Sequence, residues 1–160
     1  MTEYTKIQGA LNKYLYEMGT IPDVVVWENR AATPVDGEIY LMVNCLPVVP
    51  DHPFIGPATK TKTHEHGIFQ VSIMAPNNEG WGEAYDMVDA IVSHFSRNAS
   101  MDFDGSVISF LSVIGGQAIG GVGPVGSDIT INIRKAWPSP GYPDGTRYRI
   151  PVNISYYGYM

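Results

Sequence analysis

Asp128-Ile129-Thr130-Ile131-Asn132-Ile133-Arg134-Lys135 and, after a turn-rich interval, Arg147-Tyr148-Arg149-Ile150-Pro151-Val152-Asn153-Ile154-Ser155-Tyr156-Tyr157 decide the fold. In the first stretch Ile129, Ile131 and Ile133 alternate with Asp128, Thr130, Asn132 and Arg134. In the second, Tyr148, Ile150, Val152, Ile154 and Tyr156 alternate with Arg147, Arg149, Asn153, Ser155 and Tyr157. A period of two sends successive side chains to opposite faces of a strand, so each stretch has an apolar inner face and a polar outer one. Residues 136–146 between them hold Trp137, three prolines and Pro143-Asp144-Gly145, a turn signal. The pair reads as a long C-terminal β-hairpin running to about Tyr159.

Toward the N-terminus, Val107 to Ile114 is apolar on both faces and reads as a buried strand, followed by a glycine-rich connection from Gly115 to Gly126. Trp81, Ala84, Tyr85, Val88, Ile91, Val92 and Phe95 recur at helical spacing, with Asn77 or Asn78 as candidate caps and Arg97 late in the segment. Three strands precede this helix: Val24–Trp27; 39–45, with Ile39, Leu41, Val43 and Cys45 on one face; and Gly67–Ala75, with Phe69, Val71, Ile73 and Ala75 inward. Residues 47–66, with four prolines and three histidines, have no clear period and read as a long loop. An opening helix carries Ile7, Ala10, Leu11, Tyr14, Leu15 and Met18 at helical spacing and stops at Gly19 and Pro22, with Thr2 placed to cap it. The order α-β-β-β-α-β-β-β, with strand-to-strand links dominating, predicts an α+β domain: a largely antiparallel or mixed sheet with two helices packed on one face.

A chain of 160 residues that is 44% hydrophobic fits one domain, and such a length buries about 68–70% of its unfolded surface, enough for a core without staples. The net charge of −6 does not favour nonspecific binding to a nucleic-acid backbone. One cysteine, Cys45, excludes an internal disulfide, and its apolar neighbours read it as a small buried hydrophobe. The first residues lack the basic flank and apolar run of a signal peptide. The uncharged stretch from Gly105 to Ser127 is too rich in glycine for a membrane span. No export and no membrane partner are expected.

Chemistry-bearing patterns are few. Gly121-Val122-Gly123-Pro124-Val125-Gly126 matches G-x-G-x-x-G, but a strand pattern follows where the dinucleotide fingerprint needs a helix, so no cofactor is assigned. His64-Glu65-His66, with His52 in the same loop, offers two or three imidazoles for a metal. This keeps open an alternative reading as a small metal-dependent or ligand-binding enzyme using His52, His64 and His66. Solvated histidines account for the same residues. Cys45 has no positioned base, and no serine stands in a G-x-S-x-G turn. No catalytic residue is assigned.

The ordered set Val25-Val26-Trp27-Glu28-Asn29, Gly37-Glu38-Ile39-Tyr40-Leu41-Met42-Val43, Leu46-Pro47, Gly67-Ile68-Phe69-Gln70-Val71-Ser72-Ile73, Ala75-Pro76, Phe95-Ser96-Arg97 and Ile150-Pro151-Val152-Asn153-Ile154-Ser155-Tyr156-Tyr157 resembles the tail terminator-like (tail completion) proteins of long-tailed bacteriophages. The resemblance covers most of the chain, as a single domain over 1–160. It implies a virion protein that is not an enzyme. Such proteins form a ring, usually a hexamer, that caps the head-proximal end of the tail tube, ends tube polymerisation and offers the head–tail joining surface. The implied partners are further copies of the chain, the tail tube protein and the head–tail connector. DNA passes through the ring without specific binding, and assembly occurs in the host bacterial cytoplasm.

Charge placement suggests where such a ring could close. Arg134, Lys135, Arg147 and Arg149 concentrate on the hairpin, and alternation sends Arg134, Arg147 and Arg149 to one outward face. Like charges facing each other across strands cost a few tenths to about 1 kcal/mol per pair, which an acidic surface on a neighbouring subunit would relieve. Screening by solvent accounts for the same cluster; on the interface reading, Arg134, Lys135, Trp137, Arg147 and Arg149 are the candidate partner interface.

Overall fold

β9, Arg147–Tyr159, is the spine of the computed structural model, which describes residues 3–48, 64–102, 106–114, 117–122 and 130–159. Along one edge β9 pairs antiparallel with β3 (His64–Pro76) over its whole length, from His64↔Tyr159 to Pro76↔Arg147. Along the other edge its C-terminal part pairs with β7 (Thr130–Pro138) and its N-terminal part with β8 (Tyr142–Asp144). A two-residue turn at Gly145, whose φ of 61° suits a residue without Cβ, joins β8 to β9. The hairpin is thus present and is longer than its sequence pattern shows: the segment read as an excursion supplies the end of β7 and all of β8.

The sheet has the order β1-β2-β3-β9-β7-β4, with β8 beside β9. β2 (Tyr40–Pro47) is antiparallel to β3, β1 (Val25–Val26) is parallel to β2, and β4 (Ser100–Asp102) is antiparallel to β7. β4 has no alternating pattern of its own; Asn98, at a φ of 69°, turns the chain so that Asn98 N–H and Ala99 C=O bond to Ile133. β5 (Ser106–Ile114) pairs with β6 (Gln117–Val122) in a separate two-stranded sheet. The glycine-rich stretch therefore supplies a strand where a plain connection was expected.

The inner face of the main sheet carries Leu41, Val43, Phe69, Val71, Ile73, Ile131, Ile133, Ile150, Val152 and Ile154, all buried. Two helices close over it. α1 (Glu3–Tyr16) contributes Ile7, Leu11 and Leu15, and α2 (Gly82–His94) contributes Ala84, Val88 and Ile91 to the same core. This is the α+β architecture with a mixed sheet that the strand order predicts. No helix among the described residues is long and apolar enough to cross a membrane.

The helices also cap each other. A helix leaves its last four carbonyls without intrahelical donors. The Tyr14 hydroxyl donates to the carbonyl of His94 at 2.9 Å, and Nε2 of His94 meets the carbonyl of Tyr14 at 2.6 Å. The two rings stack at 4.2 Å between centroids, and Phe95 meets Tyr14 edge-on at 5.1 Å.

α2 begins later than its pattern suggests. Its N-cap is Trp81, with no side-chain cap bond, while Asn78 turns the preceding loop at a φ of 64°. Trp81 is 69% exposed and Tyr85 38% exposed, so the aromatic residues at the front of this helix lie outside the core that periodicity assigns them to. Ala84, in the first turn of α2, is buried all the same, so the turn meets the core through its small residue and not through its aromatic ones.

Candidate functional site

A β-bulge sets the outer face of the hairpin. In β7, Ile133 pairs with Tyr156 and Lys135 with Ser155, leaving Arg134 as an extra residue. Strict alternation would send Arg134 and Lys135 to opposite faces. With the bulge, Lys135 and Trp137 fall opposite the outward residues Ser155 and Asn153. The guanidinium of Arg134 sits 4.9 Å from the Tyr157 ring centre, on the same side. The ammonium of Lys135 lies 4.7 Å over the Trp137 ring. Arg134 and Lys135 are exposed, and each is steadied by an aromatic face. Beneath them Gln70 Nε2 donates to Asn153 Oδ1 at 3.0 Å and Asn153 Nδ2 to Ser139 Oγ at 2.7 Å, which fixes the floor of the patch.

Arg147 and Arg149 stand farther along β9 and are committed elsewhere. Arg147 is buried. Its guanidinium donates to the carbonyls of Glu38 and Val35 and lies 5.2 Å from the Tyr40 ring, pinning the turn before β2. Arg149 pairs with Asp144 at 3.3 Å across the β8–β9 turn, its side chain 17% exposed. Of the five candidate residues, Arg134, Lys135 and Trp137 share one patch; Arg147 and Arg149 serve the interior of the fold. Like charges do not face each other across the hairpin, because Arg149 pairs in register with Tyr142 and Met74.

The opposite side of the molecule carries the other sign. Glu79, Glu83, Asp86 and Asp89 are exposed along and just before α2, beside Trp81 and Tyr85, whose rings meet edge-to-face at 5.9 Å. Helical periodicity assigns these aromatics to the core. The signal available was the heavy load of acid on one helix of modest length.

The histidine motif lies in a strand. His64, Glu65 and His66 open β3 and pair with Tyr159, Gly158 and Tyr157, so the loop expected up to residue 66 ends before His64. Glu65 is buried and His66 half-buried. His52 and most of the expected 47–66 loop lie outside the described residues, as do residues 123–129. Among the described residues, no three His, Cys, Asp or Glu side chains gather as metal ligands would.

Cys45 is partly buried. Its backbone N–H donates to the Glu28 carboxylate at 3.1 Å, which also accepts from Gln8 Nε2 at 2.7 Å. Its Sγ lies 3.7 Å from the Tyr156 hydroxyl. Burial pushes the thiol up from 9.0 to about 11, the Tyr156 hydrogen bond opposing and the Glu28 charge adding to the rise. Burial, then neighbouring Cys45, raises the Tyr156 phenol too. Burial that disfavours the thiolate is the environment of a packing residue and not of an activated nucleophile.

These features define a class: a small α+β domain built on one mixed sheet, with exposed charge and aromatic rings on both its helix-covered and its open side. The sequence model of the family described as phage tail terminator protein matches residues 6–156. The chain belongs to that family and is a structural component of the phage tail. A solved structure that carries no functional name is similar over almost the whole length. It is 19% identical, covers 99% of this chain and 96% of that chain, and superposes with a TM-score of 0.64, which speaks to the shared fold. None of the curated proteins matches.

Proposed function

We propose that this protein forms a closed ring, a hexamer by family resemblance, on the head-proximal end of the tail tube. The ring ends tube polymerisation, presents the surface that receives the head–tail connector, and lets DNA pass without sequence-specific contact. The observation that carries this reading is the family match across residues 6–156. The test is electron microscopy of tails assembled without the protein. Tubes of abnormal, widely spread length are expected, with a defined end restored on adding it. Tubes of normal, sharply defined length refute the terminator role.

A further inference from the structure

Two patches of opposite sign lie on opposite sides of one sheet. α2 buries Ala84, Val88 and Ile91 in the core that the inner face of the sheet lines, so its exposed Glu83, Asp86 and Asp89 look away from that face. Lys135 and Trp137 alternate with Ala136, which packs against the same core, so the basic patch looks away from the other face. A two-fold contact through either patch would set like charge against like. A head-to-tail contact sets acid against base, and repeated around an axis it closes a ring.

We propose that the Arg134–Lys135 patch of one subunit docks on the acidic, aromatic face of α2 in the next copy of the chain. The inference rests on the ring reading above and names its contact. Charge complementarity picks the occupant: the patch is basic on a chain whose net charge is −6, and the strongest acidic surface described on the same chain is α2. The geometry suits a contact. The two cations are held over Tyr157 and Trp137. The acids flank Trp81, which is 69% exposed, and Tyr85; exposed aromatic rings beside a charged rim are the usual build of a binding hot spot. The patch also explains the bulge, which places two cations on one face where alternation allows one.

The test is a charge-swap complementation. One variant carries Glu83→Lys and Asp86→Lys, which takes the four-acid face from −4 to 0 and sets two cations where Arg134 and Lys135 of an identical neighbour would dock. A second carries Arg134→Glu and Lys135→Glu, leaving both of its faces acidic. All four positions are exposed, and thermal melts confirm that each variant folds. Each is supplied, alone or mixed, to tubes made without the wild-type protein, and capped ends are counted by electron microscopy. Each alone should cap at least tenfold fewer tubes than wild type. An equal mixture, able to alternate around a ring of even number, should recover to within about twofold, as should a single chain carrying all four changes. Wild-type rings with a mixture no better than its parts overturn this interface and leave the ring reading standing. Wild type that leaves tubes uncapped overturns the ring reading and the interface with it. An Arg134→Glu, Lys135→Glu variant that still forms rings but no longer retains DNA assigns the patch to nucleic acid, and also overturns the proposal.

Discussion

Replacing His94 with alanine should cost more stability than its half-exposed position suggests. The imidazole is the donor to one of the last carbonyls of α1, since a carbonyl can only accept and Nε2 must carry the proton. It also stacks on Tyr14 at 4.2 Å between centroids. Loss of a partly buried hydrogen bond costs about 1 kcal/mol, and loss of the aromatic contact about as much again. With the Tyr14 carbonyl then short of a donor, His94→Ala should destabilise by about 2–3 kcal/mol. At this chain length each kcal/mol moves Tm by about 2–4 °C, so a fall of roughly 4–12 °C is expected. Tyr14→Phe keeps the ring and loses only the hydroxyl that donates to His94 C=O, and should cost about 1 kcal/mol. Urea unfolding of the two single variants and the double variant gives the coupling between the residues, expected at roughly 0.5–1.5 kcal/mol for partners in direct contact. If His94→Ala falls within about 0.5 kcal/mol of wild type, as a surface change would, the helix ends do not cap each other in solution.

Further expectations come from single residues. Arg147→Ala leaves the carbonyls of Val35 and Glu38 without their charged donor and should cost about 2–3 kcal/mol, with faster hydrogen exchange confined first to residues 35–40; unchanged exchange there would refute the pinning role. At Gly67 an added Cβ would stand 2.7 Å from the backbone oxygen of Leu46 and 2.5 Å from the Tyr156 hydroxyl. Gly67→Ala should therefore destabilise by about 1–3 kcal/mol, and a melt equal to wild type would show that the β2–β3–β9 packing is looser than drawn. Because the folded Cys45 thiol titrates higher than an ordinary one, its contribution is complete below pH 9 and is lost as pH rises toward about 11. Unfolding free energy should fall across that window and fall less in Cys45→Ala, and a thiol reagent at pH 7 should label the native protein far more slowly than the unfolded one.

The hairpin shows both the reach of sequence reasoning and its limit. Alternation is a local property, so Ile131, Ile133, Ile150, Val152 and Ile154 could be assigned to one buried face directly, and all five are buried. A bulge is a property of two strands together. Nothing in Ile133-Arg134-Lys135-Ala136 announces that one residue will be left out of register; that follows from pairing with Tyr156 and Ser155. Once it occurs, every later side chain of β7 changes face, which is how Lys135 joins Arg134 and how Pro138 can continue the strand opposite Val152. Arg147 fails in the complementary way. Its outward placement on β9 was legible, yet what covers the outward face was not, because the covering turn with Val35 and Glu38 lies more than a hundred positions earlier in the chain. Trp81 fails differently: helical spacing put it in the core, yet the helix starts one residue later and leaves it exposed as the N-cap. Period tells which side of an element a residue occupies. Whether that side is core, solvent or the next subunit depends on the neighbour that reaches it, and the opposed charges of the Arg134–Lys135 bulge and α2 supply a physical reason for that neighbour to be another copy of this chain.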